Sequence, residues 1–437
     1  RVTRNDRTQS LDIEFVLTRG PRVFVERIDI EGNNTTLDRV VRRQFRSVEG
    51  DPFNPREIRA SAERIRALGL FAKADVQARE GRAADQVVVD VNVEEQPTGA
   101  LSFGASFGAE SGLGFQVAFN EANFLGRGQY VSLNYSSGAD SASSNFTFIE
   151  PYLFDRDLKG SFRVWYNTSE YDNADYSTRM IGISPGLEFP ISENGRLGLH
   201  YKLEKDTLYN VSTDSSQLLQ DEAALEDGAY FKSSLGYTYS YDTRTTGIDP
   251  RFGYYFEFTQ DFYGAGGDYK GVKTTAIASA QRKIMNEEVT LRFDLEGGAI
   301  HSLGDNDTRL LERFRSTGLM RGFESNGFGP RDNDAANEDA LGGLYYATAR
   351  AEAQFPIGLP TEYNLSGAVF ADVGTLWGLD NTDGGRIDDS AKLRAVVGAS
   401  VLWGSPIGPL RLDFTKALKK EDYDQEQVFD LTVSTKF

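Results

Sequence analysis

From residue 98 onward, apolar and polar positions alternate along the chain. Val289, Leu291, Phe293 and Leu295 take turns with Thr290, Arg292, Asp294 and Glu296. Leu197, Leu199, Tyr201 and Leu203 do so with Gly198, His200, Lys202 and Glu204. Phe252, Tyr254, Phe256 and Phe258 follow the same rule, as do Phe429, Leu431, Val433, Thr435 and Phe437. A period of two puts apolar side chains on one face of a strand and polar ones on the other. A water-soluble sandwich shows this as well, with its apolar faces inward. Number and length of the segments decide between the two. Sixteen candidate strands lie near 98–107, 112–122, 128–137, 142–150, 158–170, 175–188, 196–207, 230–241, 252–263, 269–283, 288–301, 343–356, 363–375, 392–402, 408–416 and 426–437. Most run about 9–14 residues, enough to cross a bilayer when tilted, whereas globular strands are nearer 5–6. An even number returns both ends of a closed barrel to one side.

The connections carry their own asymmetry. The long ones, 208–229, 302–342 and 376–391, are the seventh, eleventh and thirteenth, so all fall at one end. Even-numbered connections such as 123–127, 189–195 and 357–362 are short. Outer-membrane barrels have long loops outside and short turns in the periplasm, which places the N-terminal region on the periplasmic side.

That N-terminal region has a different pattern. Val23, Val25, Ile28 and Ile30 read as a strand with a slip near Arg27. Thr35 to Phe45 reads as a helix with Leu37, Val40, Val41 and Phe45 on one face. A second helix opens with Asn54 as N-cap, Pro55 at its first position and Glu57 completing a capping box. Ile58, Ala62, Ile65 and Leu68 form its buried stripe, and Gly69 follows as its C′ residue. Ala74 to Arg79 and Gln86 to Val93 are strands, so the order is β-α-α-β-β. The boundary with the barrel falls at Glu94-Glu95-Gln96-Pro97, where proline ends the strand. Before it, Arg1-Val2-Thr3-Arg4 runs into a strand-like stretch, Leu11 to Leu17, without a signal peptide, and the expectation is a true N-terminus further upstream.

Composition narrows the chemistry. In 437 residues there is no cysteine, which removes disulfides, thiol catalysis and Cys-type zinc sites. Two histidines, His200 and His301, do not make a His-rich metal centre, and neither has a second histidine beside it for acid/base work. No nucleotide-binding glycine pattern stands beside a strand–helix unit, and no nucleophile–base–acid set is visible. The expectation is therefore no catalytic residues, no cofactor and no metal. Residues 1–97 carry 17 basic and 17 acidic residues; the net charge of −18 lies wholly in 98–437, which argues against nucleic acid as partner. No run of 18 apolar residues exists, which excludes a spanning helix, and the mean hydropathy of −0.43 is compatible with a barrel that is polar inside. Trp165, Trp377 and Trp403 are read at or near strand ends, where interface anchoring and ordinary packing are equal readings. Asp380-Asn381-Thr382-Asp383-Gly384 imitates part of a calcium loop, lacks its closing Glu, and reads as a surface acidic loop.

One constellation remains. The longest loop contains Gly318-Leu319-Met320-Arg321-Gly322-Phe323 and Gly327-Phe328-Gly329-Pro330-Arg331-Asp332, a composition of defined turns. Glu352 shares a strand face with Arg350 and Gln354, and Asp372 shares one with Phe370. Both carboxylates should point into the lumen, where Arg321 could hold them and pin the loop. The same spacing is met by a solvated Arg321 above a wet channel lined by two acids, and alternation does not decide between them.

Met320-Arg321-Gly322-Phe323 resembles the arginine–glycine–aromatic motif of the BamA-type outer-membrane assembly and transport superfamily. Other pieces match in order. Asn123-Phe124-Leu125-Gly126-Arg127-Gly128 and Glu150-Pro151-Tyr152 resemble its early periplasmic turns. Phe370-Ala371-Asp372-Val373-Gly374 and Ser405-Pro406-Ile407-Gly408-Pro409-Leu410 resemble its late barrel. Residues 22–97 look like a POTRA domain, 98–437 like the transmembrane β-barrel, and 1–21 like the tail of a preceding POTRA module. Phe429, Leu431, Val433 and Phe437 resemble the C-terminal β-signal of outer-membrane proteins; Ser434 stands where the family commonly has glycine, and Met320 where valine is commoner.

The resemblance implies that Arg321 lies inside the barrel against Glu352 and Asp372. It implies location in the bacterial outer membrane with the POTRA domain in the periplasm. The function it implies is folding and insertion of β-barrel proteins. The barrel would close between 98–107 and 426–437, where Gly99, Gly104 and Gly108 weaken the first strand. An opened seam could template an incoming strand. Implied partners are unfolded outer-membrane proteins, accessory lipoproteins, periplasmic chaperones and the lipid bilayer. A polypeptide-secretion pore and a TamA-like assembly factor of the same superfamily are the alternatives. A diffusion porin gives no reason for residues 22–96.

Overall fold

The computed structural model describes residues 2–5, 10–13, 22–108, 112–138, 141–170, 176–244, 252–304, 307–383, 385–405 and 408–434. Two compact units emerge. One comprises Arg1–Thr98 with Ala122–Gly128, and the other Gly99–Glu121 with Gln129–Phe437.

The first unit begins with a short ladder, β1 (Val2–Asn5) against β2 (Ser10–Ile13). Then come β3 (Phe24–Glu31), α1 (Asp38–Arg42), α2 (Pro55–Ala67), β4 (Phe71–Glu80) and β5 (Gln86–Glu95). The sheet order is β3-β5-β4, with β3 parallel and β4 antiparallel to β5. The slip near Arg27 is a real register shift, between Val25 and Arg27. Val25, Ile28, Val40, Val41, Ile58, Ile65, Val89 and Val91 pack as the core. Two sequence expectations need correction. The first helix is only five residues long, because the N–H groups of Thr35 and Thr36 donate to the Glu95 carboxylate and stay outside the helix. Asn54 does cap α2, but it accepts from Arg56 N at 3.0 Å; Glu57 makes an ion pair with Arg64.

The second unit is a closed antiparallel barrel. Its first strands are β6 (Gly99–Gly108), β7 (Gly112–Phe124), β8 (Gln129–Ser137), β9 (Ser141–Glu150), β10 (Lys159–Glu170) and β11 (Ser177–Pro190). β12 (Gly195–Tyr209), β13 (Ala229–Asp242), β14 (Phe252–Gly267), β15 (Gly271–Ile284) and β16 (Val289–Ser302) follow. After the longest loop, which holds β17 (Arg331–Asp332), come β18 (Tyr345–Pro356) and β19 (Leu365–Trp377). β20 (Ile387–Asp388) lies in the next loop, before β21 (Arg394–Ser405), β22 (Gly408–Lys419) and β23 (Phe429–Ser434). β17 and β20 pair only with each other; the other sixteen form the ring, closed by β23 against β6.

The apolar face of the ring points out. Phe103, Phe115, Leu133, Phe162, Ile181, Leu199, Leu235, Phe256, Phe293, Val369 and Phe414 are all exposed. So much contiguous apolar surface is stable in hydrocarbon and not in water. Polar side chains line the lumen, and the longest loop enters it. Leu319, Met320, Phe323 and Phe328 from the longest loop pack against Tyr346, Phe370, Leu376 and Val396 of the wall. Trp165 departs from the sequence reading: it sits in mid-strand on β10, over Gly182 of β11, because the bare glycine leaves room for an indole.

Candidate functional site

Strand register builds the receptor for Arg321. Glu352 on β18 faces Phe370 on β19, and Arg350 faces Asp372. The two carboxylates are thus diagonal neighbours on the lumen face, a separation a guanidinium can bridge. Arg321 Nε and Nη2 donate to the two oxygens of Asp372 at 2.8 and 2.6 Å, and its backbone N–H adds a bond at 3.2 Å. Nη1 donates to Glu352 Oε2. The guanidinium carbon lies 3.6 Å from the centre of the Phe370 ring, completing a cage of two anions and an aromatic face. Asp372 is fully buried.

The neighbouring residues explain how the loop can enter so deeply. Gly322 has φ +82°, and a Cβ there would stand 2.8 Å from Val396 Cγ1. The arginine is therefore followed by a residue that only glycine satisfies. Met320 and Phe323, each nearly buried, seat the flanks of the turn in the apolar wall.

Sequence reasoning gave no role to four further residues. Arg411 on β22 donates to the same Glu352 oxygen at 2.9 Å and to Asp413, so Glu352 is shared by two guanidinia. Its alternation with Leu410, Leu412 and Phe414 could have placed it in the lumen. Arg350 donates to the carbonyl of Gly318 and to Glu296 at 3.2 Å each. Arg394 and Asp424, with side chains 1% and 0% exposed, form a bidentate pair at 2.9 Å that ties β21 to the connection between β22 and β23. No spacing announces that pair.

That last connection also meets the loop. Phe323 forms a β-bridge with Glu426. Glu324 N–H donates to Gln425 O, Gln425 N–H to Gly327 O, and Gln427 N–H to Gly322 O, at 2.8 to 3.1 Å. Thr415 Oγ1 donates to Gln427 O at 2.5 Å. The Arg321 turn and the approach to the last strand are one hydrogen-bonded layer. It lines a cavity of about 690 Å³ together with Glu352, Arg411, Asp413, Asp430 and Thr432.

The seam residues are placed as follows. Gly99 and Gly104 on β6 pair with Glu121 and Gln116 of β7. Phe429 and Leu431 on β23 pair with Phe414 and Leu412 of β22, and Val433 with both Leu410 and Phe107. Two residue pairs, Val433–Phe107 and Ser434–Ser106, join β23 to β6 among the described residues. Phe437 lies outside the described residues.

The long loops interlock above. Glu222, in the helix α3 (Gln217–Ala224), accepts the N–H of Leu310 on both oxygens at 3.0 Å. Burial raises its pKa to about 7, although Arg313 and this N–H favour the anion. Asp380 accepts the N–H and hydroxyl of Thr308 at 2.7 and 2.8 Å, so the acidic stretch that imitates a calcium loop ties loop to loop. His200 Nε2 lies 2.6 Å from Asp261, whose other oxygen takes Lys202. Among the described residues no group of three His, Cys, Asp or Glu is arranged around a metal position.

The Omp85 superfamily domain matches residues 123–437, and the POTRA domain, described as a surface antigen variable number repeat, matches 23–96. The outer membrane protein assembly factor BamA of Neorickettsia risticii is 28% identical over 433 residues, 99% of this chain and 58% of its own length. Its counterpart in Nitratidesulfovibrio vulgaris is also 28% identical over 433 residues, covering 97% and 53%. The chain thus spans a little over half the length of these curated relatives. Among solved structures, BamA from Haemophilus ducreyi lacking POTRA domains 1-3 superposes with a TM-score of 0.80 at 23% identity, over 100% of this chain and 89% of that one. CdiB from Acinetobacter baumannii gives 0.62 at 12% identity, over 95% and 74%.

Proposed function

The chain belongs to the Omp85 superfamily, and from that premise we propose that it folds and inserts β-barrel proteins into the bacterial outer membrane. Residues 22–97 act as a periplasmic POTRA domain, 98–437 as the spanning barrel, and 1–21 as the end of a preceding module. The observation that carries the mechanism is the hydrogen-bonded layer joining the Arg321 turn to residues 425–427, which lead into β23. The loop is anchored on β18 and β19 and grips the approach to the seam strand. While the anchor holds, β23 keeps its register with β22 and the barrel wall has a defined edge.

Parting the pairs that join β23 to β6 exposes backbone N–H and C=O groups to lipid. Such groups are costly to leave unpaired in hydrocarbon, so an incoming strand gains by pairing there. Gly99 and Gly104 leave β6 with little side-chain packing to resist that parting. No covalent bond changes and no nucleotide is consumed, because folding into the membrane is itself downhill. Unfolded outer-membrane proteins are the substrates, and accessory lipoproteins and periplasmic chaperones are the partners this reading implies. The relatives named outer membrane protein assembly factor, 28% identical over nearly the whole chain, favour assembly over a secretion pore.

The test is the folding rate of a denatured porin in liposomes containing this chain or its Arg321→Ala variant. The expected result is acceleration by the wild type, largely lost in the variant. Ion conductance without acceleration would favour the pore.

A further inference from the structure

The last strand is held in a register that its own ladder does not choose. Leu410, Leu412 and Phe414 of β22 pair with Val433, Leu431 and Phe429 of β23. A slip by one residue would turn β23 over, so the alternation forbids it. A slip by two keeps apolar opposite apolar: Leu431 would face Phe414, and Val433 would face Leu412. On the other face that slip is even favourable. Asp413 and Asp430 stand directly opposite each other, and like charges so placed destabilise a sheet. After the slip Thr432 would face Asp413, and Arg411 bonds Asp413 from its own strand in either case. Turn geometry does not decide, because residues 420–428 join the two strands, far more than the tight turns that fix register by themselves. The backbone bonds of Gln425 and Gln427 to the longest loop do not decide, because every residue offers the same N–H and C=O. The register calls for a side-chain contact that accepts one residue only.

Arg394, the first residue of β21, makes that contact with Asp424. Nε and Nη2 donate to the two carboxylate oxygens at 2.9 Å each, and Nη1 donates to the Lys392 carbonyl at 3.0 Å. Asp424 Oδ2 also accepts the Glu421 N–H at 2.8 Å. Both side chains are out of solvent, and the guanidinium fork matches a carboxylate, so the contact is specific to this residue. A chain slipped by two would bring Glu426 towards Arg394, one methylene too long for a site without spare room. Asp424 stands just ahead of Phe429, where β23 begins, so fixing the one fixes the other. Lys392, between Asp388 and Glu421 at 2.5 and 3.0 Å, adds an outer tie that is partly exposed and therefore weaker. We infer that Arg394 and Asp424 are positioning residues: their pair sets the register of β23 on β22 and, on the assembly reading proposed above, the register in which the seam edge meets an incoming strand.

Cysteine pairs report the register, because the chain has no native cysteine. Leu412→Cys with Leu431→Cys bridges the observed register, and Leu412→Cys with Val433→Cys bridges the slipped one. Position 412 keeps the same kind of ladder site in both, so geometry favours neither pair. Each pair is placed in the full chain, with and without Arg394→Met/Asp424→Leu, which removes both charges together and leaves neither buried alone. The chains are folded into liposomes, and folding is verified by heat-modifiable gel mobility. After brief oxidation the remaining thiols are counted with a maleimide mass tag. With Arg394 and Asp424 in place, only the 412/431 pair should close. In the double-variant background the 412/433 pair should close as well, and acceleration of porin folding should be lost. Closure of 412/431 alone in that background would make the ion pair a merely structural contact and overturn the proposal. Closure of 412/433 with full acceleration would overturn its link to assembly. Arg394→Lys keeps the charge and loses the fork; it should close both pairs, and it decides the question if the double variant does not fold. If the chain with Arg394 and Asp424 intact does not accelerate porin folding, the assembly reading falls, while the cysteine pairs still decide the register.

Discussion

At Arg321 a guanidinium is taken largely out of water, and the desolvation is offset because its N–H groups meet two carboxylates and its face an aromatic ring. Removing it leaves Asp372, fully buried, without its counter-ion. Breaking such a pair typically costs about 3–5 kcal/mol, so Arg321→Ala should lower the thermal midpoint of the barrel as well as its activity. Arg321→Lys keeps the charge but reaches one carboxylate at a time, and should fall between the two in a heat-modifiable gel assay. Glu222 behaves differently. Its pKa is raised from 4.5 to about 7, so between those values the folded state holds more protons than the unfolded one. Stability must then fall as pH rises through that window. Corrected for the base-catalysed intrinsic rate, the Leu310 amide should be more protected near pH 5 than near pH 8, and Glu222→Gln should flatten that difference in protection. A dependence of opposite sign would mean that Arg313 and the Leu310 N–H outweigh burial.

The elements were legible in proportion to their periodicity. Each of the sixteen barrel strands could be placed within a few residues, because a period of two leaves no other way to sort Leu291, Phe293 and Leu295 from Arg292 and Asp294. Asn54, Pro55 and Gly69 bracket α2 for similar reasons of local chemistry. What stayed hidden depends on distant partners. Thr35 and Thr36 look helical until Glu95, some sixty positions away, takes their N–H groups. The two-residue ladder of β17 and β20 has no period at all, and Arg394 with Asp424 has no spacing rule. The anchor triad was half legible: alternation turned Glu352 and Asp372 inward, while the descent of Arg321 into the lumen depends on a turn closed by Gly322. Gly322→Ala combines a forbidden backbone with a collision at Val396, and should destabilise the barrel by more than about 1 kcal/mol in thermal unfolding. A neutral outcome would mean that the turn can withdraw without loss.

Across the whole molecule one arrangement recurs. Apolar side chains face outward around the ring, the charge of −18 is carried by residues 98–437, and the longest loop folds back against the wall. The claim that the seam between β23 and β6 must part is tested most directly by locking it. Ser106 and Ser434 are paired across that seam, and no native cysteine competes with a Ser106→Cys/Ser434→Cys disulfide. In porin-folding liposomes the oxidised variant should lose its acceleration and regain it on reduction, with each single variant active throughout. Full acceleration by the oxidised, verified disulfide would contradict the account.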